Sequence, residues 1–393
     1  MSHPFDAISL ETLRTRKCAK WTRYGPDVMP LWVADMDFPA SEKIIAAMNA
    51  RASSDNLGYP MGGYLGSGEP GIGEAIMKRQ AERYNWHFED ENIWLINGIV
   101  PGLFLGAMAF ASPGEEVIMQ TPIYPPFMYA VEKTGRTPIY NQMEIVDGTW
   151  QIDFDALDAL VTPNTRLFML CNPHNPVGRV FRRDELEKLG EFVLKHRLWV
   201  VSDELHCDLR FDDYQHIPFA SLSDELAQRT VTLFGPTKTF NIAGLKGGVA
   251  VSQNKALLER YQNAAPALIT PPNVIAQAAI KAAYNDEAQD WLDSTLSYLD
   301  GNRKFIADFV SERLPSVKYY GTEGTYLSWL DFRSLGLGEQ LETFLLETCK
   351  VGLNPGPSFG PGGEGFARLN FATTREVIEH ALTRIEDGIR QLD

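Results

Sequence analysis

Val231-Thr232-Leu233-Phe234-Gly235-Pro236-Thr237-Lys238-Thr239-Phe240-Asn241-Ile242-Ala243-Gly244-Leu245-Lys246-Gly247-Gly248 is the stretch on which the reading of this chain turns. Val231–Phe234 is an apolar run of strand length, and Gly235-Pro236 ends it. Lys238 follows at once, between two threonines and ahead of a glycine-rich loop. A lone lysine is ordinarily a solvated surface residue. One placed directly after a core strand can be stripped of water, which lowers its pKa and frees its amine to form an imine.

Working outward, three earlier apolar runs read as strands: Glu115–Met119, Leu167–Cys171 and Leu198–Ser202. Between the last two, Arg183–Lys195 carries Leu186, Leu189, Phe192 and Val193 at helical spacing. Strand, helix, strand at this scale predicts a parallel sheet with right-handed crossovers, hence an α/β fold whose ligand lies at the carboxyl ends of the strands. From about Asp286 the pattern changes. A long amphipathic helix (Trp291, Leu292, Leu296, Leu299, Phe305, Phe309) runs toward Leu314-Pro315, and short strands Thr325–Asp331 and Phe366–Phe371 follow. We therefore expect a large domain over 46–285, a smaller α+β domain over 286–393, and an N-terminal segment 1–45 that joins the smaller one.

Chemistry gathers at the strand ends. Asn97-Gly98-Ile99-Val100-Pro101-Gly102 opens the apolar run Leu103–Phe110. Pro101 suits a first helical turn, where free N–H groups and the helix dipole favour a phosphate. Cys171–Gly178 holds two Asn-Pro pairs, which set a tight turn with an amide available to a ligand oxygen. Ser202-Asp203-Glu204-Leu205-His206 puts a carboxylate at the sheet's edge. A buried acid there needs a cation, and a protonated pyridine nitrogen is one. Taken singly these are a helix start, a proline-stiffened loop and an N-cap by Ser202 or Asp203. In this order they make the set that pyridoxal 5′-phosphate (PLP) requires. Lys238 supplies the amine, Asp203 the carboxylate, Tyr124 an aromatic face, and the Val100 region with Lys246 the phosphate site.

At these residues the chain resembles the fold-type I PLP enzymes of the class I/II aminotransferase superfamily, and within them the carbon–sulfur β-lyase branch (cystathionine β-lyase and cystalysin relatives). The resemblance runs over nearly the whole chain. It is carried by Trp32-Val33-Ala34-Asp35-Met36-Asp37-Phe38, Thr121–Phe127, Asn172–Gly178, Ser202–Asp208, Lys238–Leu245 and Arg368–Thr373. The spacings also match the superfamily's order: 28 positions from Asn175 to Asp203, 35 from there to Lys238, and 8 more to Lys246.

The resemblance implies a mostly parallel sheet of seven-stranded type, a smaller C-terminal domain and a homodimer with shared active sites. It implies Lys238 as the lysine that bonds the cofactor and moves the Cα proton, Asp203 on the ring nitrogen, Asn175 on the ring hydroxyl, and Tyr124 stacked on the ring. It places Ile99 and Val100 (backbone N–H), Thr237 and Lys246 on the phosphate, with His206 in the cofactor shell. Tyr59 would reach the partner subunit's phosphate. Arg368 would clamp the substrate α-carboxylate, with Ala34, Asp35 and Tyr326 beside it. Three positions depart from the aminotransferase pattern: His206 replaces a tyrosine, Gly235 a phosphate-binding serine, and Lys246 an arginine. Met61–Gly73 is glycine-rich and reads as a loop or a lip over the site.

Bulk properties narrow the partners. The 393 residues are 44% hydrophobic and carry a formal net charge of −15, which disfavours nucleic acid. The four cysteines, Cys18, Cys171, Cys207 and Cys349, show no metal or disulfide spacing. Gly98–Pro113, the longest apolar run, is broken by Pro101 and reads as a buried helix rather than a membrane span. No signal-peptide pattern opens the sequence. These features together predict a soluble, cytoplasmic protein with no metal. The expected reaction is α,β-elimination from a sulfur-containing amino acid, giving pyruvate, ammonia and a thiol. An aminotransferase on the same scaffold is the alternative, and a regulatory or interaction protein a lower one.

Overall fold

Seven runs of four to seven residues pair into the main sheet: β1 (Ile93–Ile96), β2 (Glu116–Thr121), β3 (Thr137–Gln142), β4 (Thr165–Cys171), β5 (Trp199–Asp203), β6 (Thr230–Phe234) and β7 (Gly248–Val251). The computed structural model describes residues 3–60, 65–266 and 268–392. Strand order is β1-β7-β6-β5-β4-β2-β3. β7 runs antiparallel to both neighbours, and every other pair is parallel. The carboxyl ends of β1, β2, β4, β5 and β6 therefore open on one edge, and the start of β7 joins them there. Register aligns those ends, with Cys171 opposite Asp203 and Asp203 opposite Leu233. The central strands are covered on both faces, which is why they read as unbroken apolar runs.

The helices follow from the same patterning. Arg183–His196 links β4 to β5 and buries Leu186, Leu189, Phe192 and Val193 while its charged face meets water. Ile99–Phe110 links β1 to β2 and is buried almost all round, as its composition requires. The later part of the chain forms a four-stranded antiparallel sheet ordered Lys318–Tyr319, Leu327–Asp331, Phe366–Asn370, Asn354–Pro355. Helices Gln289–Arg313 and Arg375–Ile389 supply Leu299, Ile306, Ile378 and Ile385 to its core. The N-terminal segment belongs to that core: Met29–Pro30 pairs in parallel with Val351–Gly352, and Phe5, Leu13, Leu31, Met36 and Phe38 pack in the same cluster.

Differences from expectation have local causes. β1, β3 and β7 were not anticipated: β1 and β7 are only four residues long, and β3 is a sheet-edge strand with polar residues and Pro138. The strand expected from Thr325 begins at Leu327, because Thr325 is left-handed at φ 75°. The glycine-rich loop ends sooner than Gly73: Gly71, at φ 86°, caps a helix that starts at Ile72. Of that loop, residues 61–64 lie outside the described residues.

One buried ion pair backs the lysine loop. Arg79 is 1% exposed and meets Asp208 at 2.9 Å, while Tyr84 Oη donates to Asp208 at 2.7 Å and Thr239 Oγ1 at 3.3 Å. Burial alone would raise the Asp208 carboxyl, but Arg79, Tyr84 and Arg83 together bring it down to about 2. Arg79→Leu leaves that charge nearly alone in the interior, so urea unfolding should show a loss of about 3 kcal/mol.

Candidate active site

The strand ends surround a cavity of about 520 Å³. Asn97, Gly98, Ile99, Val100 and Pro101 come from the end of β1 and its helix, Tyr124 from the loop after β2, and Cys171 and Asn175 from the end of β4 and its turn. Asp203 ends β5 and Leu205 and His206 follow it, Thr237 and Lys238 follow β6, and Ala243 and Lys246 precede β7. Ala34 reaches in from the N-terminal segment. All nine cofactor positions expected on this chain's own site thus share one cavity, with residues drawn from six strand termini.

Backbone demands explain several of these types. Gly98 stands at φ 123° as the residue before the helix, a conformation that glycine takes without strain. Gly235 is required by space. A Cβ there would lie 2.9 Å from Gly247 O and 3.3 Å from Gly248 Cα. A serine therefore does not fit at this position, and the nearest hydroxyl on the cavity wall is that of Thr237.

Burial sets the charges. Lys238 is desolvated to a pKa of about 8, with Asp35 and Asp203 pulling it up and Arg368 pushing it down. Its Nζ donates to Ala34 O at 2.5 Å. Asp203 is pushed up to about 7 by burial, and only the Leu205 N–H at 3.0 Å offsets this with a hydrogen bond. His206 falls to about 3 through burial and the nearby Lys238 and Arg368 charges, so it is neutral. Beneath the edge, Glu204 accepts from Ser202 Oγ at 2.8 Å, His216 Nε2 at 2.9 Å and Phe219 N at 3.0 Å, which pins the turn that carries Asp203.

The substrate set lies differently from the expectation. Ala34 lines the cavity, but Arg368, Asp35 and Tyr326 stand behind its wall. Arg368 already spends Nη1 on Asn175 Oδ1 and Nη2 on Trp32 O, both at 3.0 Å, and its Nε is buried without a partner. Burial lowers it to about 10. Tyr326 Oη donates to Ala34 O at 3.0 Å, and its ring meets that of His206 edge-on at 5.9 Å. Tyr59 is away from this cavity altogether, 95% exposed beside Leu57 and Thr270–Val274.

Sequence reasoning missed two asparagines that hold the N-terminal strap over the cavity. Asn370 Nδ2 donates to Val33 O and Asp35 O, each at 2.6 Å. Asn241 brackets Met36, accepting from its N–H and donating to its carbonyl, and also donates to Phe38 O at 2.7 Å. Both lie inside the family-like motifs Arg368–Thr373 and Lys238–Leu245, and that was their only signal.

A family model described as aminotransferase class I and II matches residues 26–385. The chain belongs to this family. Cystathionine beta-lyase PatB of Bacillus subtilis (strain 168) is 38% identical over 382 residues, covering 94% of this chain and 96% of that one. The cystathionine beta-lyase of Corynebacterium glutamicum is 33% identical over 376 residues, covering 96% and 98%. Cystalysin of Treponema denticola, whose structure contains a pyridoxal 5′-phosphate cofactor, superposes with a TM-score of 0.93 at 32% identity over the full length of both chains. The sheet is accordingly that of the fold-type I members of the class.

The cavity fits PLP on its own chemistry. Among the described residues Asp203 is a buried acid without a cationic hydrogen-bond partner, and a pyridinium N–H is the group that would complete it. A desolvated amine, an aromatic wall and a helix N-terminus beside a lysine meet its other needs. Asp203 also carries a pH signature in the cofactor-free chain. Folded, it titrates near 7, against 3.8 in the unfolded chain. Between those values the folded state keeps a proton that the unfolded state has released, so stability falls as pH rises from about 4 to 7. Comparing urea midpoints of the cofactor-free protein with those of Asp203→Asn at pH 5 and pH 8 should isolate a loss on the order of 3 kcal/mol, absent from the variant.

Proposed function

We propose that this chain is a PLP-dependent carbon–sulfur β-lyase that cuts cystathionine or a related cysteine conjugate into pyruvate, ammonia and a thiol. The observation that carries this reading is a desolvated lysine, at about 8, facing a buried unpaired aspartate in a chain whose relatives include cystathionine beta-lyases. When bound, PLP supplies the electron sink that makes the substrate Cα proton removable.

The rest falls to the chain's own residues. Lys238 removes the Cα proton, and its low proton affinity leaves a usable fraction of free amine near neutrality. Asp203 would keep a proton on the ring nitrogen of the bound group. Asn175, fixed by Arg368, would bond its ring hydroxyl oxygen, and neutral His206 would not compete for that proton. Tyr124 would offer its aromatic face to the ring. The Ile99 and Val100 N–H groups, the Thr237 hydroxyl and Lys246 take the phosphate, Lys246 as a point charge rather than a fork. Arg368 receives the α-carboxylate by exchanging its bond to Trp32 O, a swap at the strap that also carries Ala34, Asp35 and the Tyr326 contact.

Supplied with L-cystathionine, the holoenzyme should release pyruvate and thiol with no need for an added keto acid, and Lys238→Ala should lose both the turnover and the absorbance band near the visible edge. Keto-acid-dependent amino transfer without pyruvate would replace the lyase reading by the aminotransferase one.

Tyr59 gives a second test. Its exposed ring, with Leu57 at 58% and Leu268 at 75% exposure, fits a homodimer in which it enters the partner subunit's site. Tyr59→Ala and Lys238→Ala proteins, each nearly inactive, should regain about a quarter of full activity when mixed and re-equilibrated, since half the dimers then hold one intact site. We place the enzyme in the cytoplasm: its four cysteines are free, and among the described residues no helix is long and apolar enough to cross a membrane.

A further inference from the structure

Burial is the main influence on Lys238, and among the described residues Asp35 and Asp203 are the carboxylates that favour its ammonium. Asp35 follows Ala34, whose carbonyl accepts a hydrogen bond from Lys238 Nζ at 2.5 Å. Its backbone is held on both sides: Asn370 Nδ2 bonds Asp35 O, the Asp35 N–H bonds Val33 O at 3.0 Å, and Asn241 fixes Met36. Its Oδ1, however, is buried with no hydrogen-bond partner. The neighbouring cations have other partners, although Lys20 also favours the Asp35 anion. Lys20, wholly buried, pairs with Asp37 at 2.7 Å, Arg16 donates to Asp37 O at 2.8 Å, and Trp21 Nε1 donates to Asp37 Oδ1 at 2.7 Å. Asp37 thus has a paired lysine and an indole N–H, whereas Asp35 Oδ1, two residues away, has no hydrogen-bond partner among the described residues.

We propose that Asp35 is a positioning residue for the reaction, its carboxylate serving as the counter-charge to the Lys238 ammonium while that lysine holds the proton taken from the substrate Cα. The proposal rests on the lyase reading given above and assigns Asp35 to the lysine rather than to the substrate. Once the ring nitrogen is in place, Asp203 is committed to it and Asp35 is the acid left to Lys238. Among the described residues the other groups near the lysine do not serve as its counter-charge: Arg368 repels it, His206 is neutral, Lys246 is a cation, and burial raises Tyr124 and Tyr326 above their ordinary range. Burial raises the Asp35 carboxyl, and Asp37 raises it further; Lys20, Lys238 and Arg16 favour its anion.

The sign of the effect is fixed. Removing the anion makes the ammonium costlier, so the Lys238 pKa falls further below about 8. The test labels Lys238 with a trace amine acylating agent across pH in the full-length, cofactor-free chain, with the Lys238 peptide quantified by mass spectrometry. In Asp35→Asn the midpoint should drop by about one unit, so that labelling at pH 7 is about fivefold faster than in the parent protein. Asp35→Glu, which keeps the charge, should stay within about 0.3 unit of the parent, a level of discrimination well inside one pKa unit. In the holoenzyme the acid limb of the kcat profile should move down with the Asn variant, a shift that loss of structure alone does not produce. Circular dichroism of the same samples excludes misfolding. An unchanged or raised midpoint in folded Asp35→Asn overturns the proposal. Absence of pyruvate from cystathionine alongside a lowered midpoint overturns the lyase reading and leaves the Asp35–Lys238 coupling standing.

Discussion

The molecule depends on keeping one primary amine out of water. Lys238 is held by a 2.5 Å bond to a single backbone carbonyl, that of Ala34, which arrives from 204 residues earlier in the chain. An amine buried this way is costly as an ammonium, and the structure offsets the cost only in part. Two acids lean toward it and one guanidinium leans away. The same imbalance keeps His206 neutral and leaves Asp203 close to protonation. Burial sets each of these groups first, and their charges then adjust one another.

Topology delivers these groups to one place. Five of the parallel strands bring residues to the same edge, some from the last strand position, as Asp203, and others from the turn a few residues beyond it, as Asn175 and Lys238. β7 reverses direction, so its beginning rather than its end reaches that edge, and Lys246 arrives there before the strand starts. The antiparallel insertion is therefore what brings Lys246 to the cavity only 8 positions after Lys238. The close approach that excludes a side chain at Gly235 is the cost of fitting the β7 entry against the β6 exit.

How much was legible follows from this division. Positions supplied by strand ends could be read locally, since an apolar run stopping at a polar or glycine-bearing turn is a short-range signal. Lys238, Asp203, Asn175 and the helix start after β1 are all of this kind. Strands of four residues, and the edge strand with Pro138, carry too little pattern to be seen. The substrate side was less legible for a different reason. Trp32, Val33, Ala34 and Asp35 gain their place through bonds to Arg368, Lys238, Tyr326 and Asn370, with partners 204 to 337 residues away. No local period encodes such contacts. The motifs marked those residues as belonging together but did not say that Arg368 would face a backbone carbonyl and Asn175 before it faced a substrate.

The strap also explains why the N-terminal segment packs with the C-terminal sheet rather than with the sheet it helps to cover. Its core residues Met36 and Phe38 share a cluster with Tyr326, Leu327 and Phe371, while Ala34, between them and Trp32, spans to Lys238. Arg368 lies on the adjacent strand and bonds the same strap through Trp32 O. A substrate carboxylate that draws Arg368 away from Trp32 and a cofactor that draws Lys238 away from Ala34 would each release one of the strap's bonds to the cavity. Asn370 and Asn241 are not on the cavity wall, so their bonds to the strap persist through both exchanges. The strap is thus anchored independently of the groups that do chemistry, and Asp35, carried between those anchors, stays in place while its neighbours change partners.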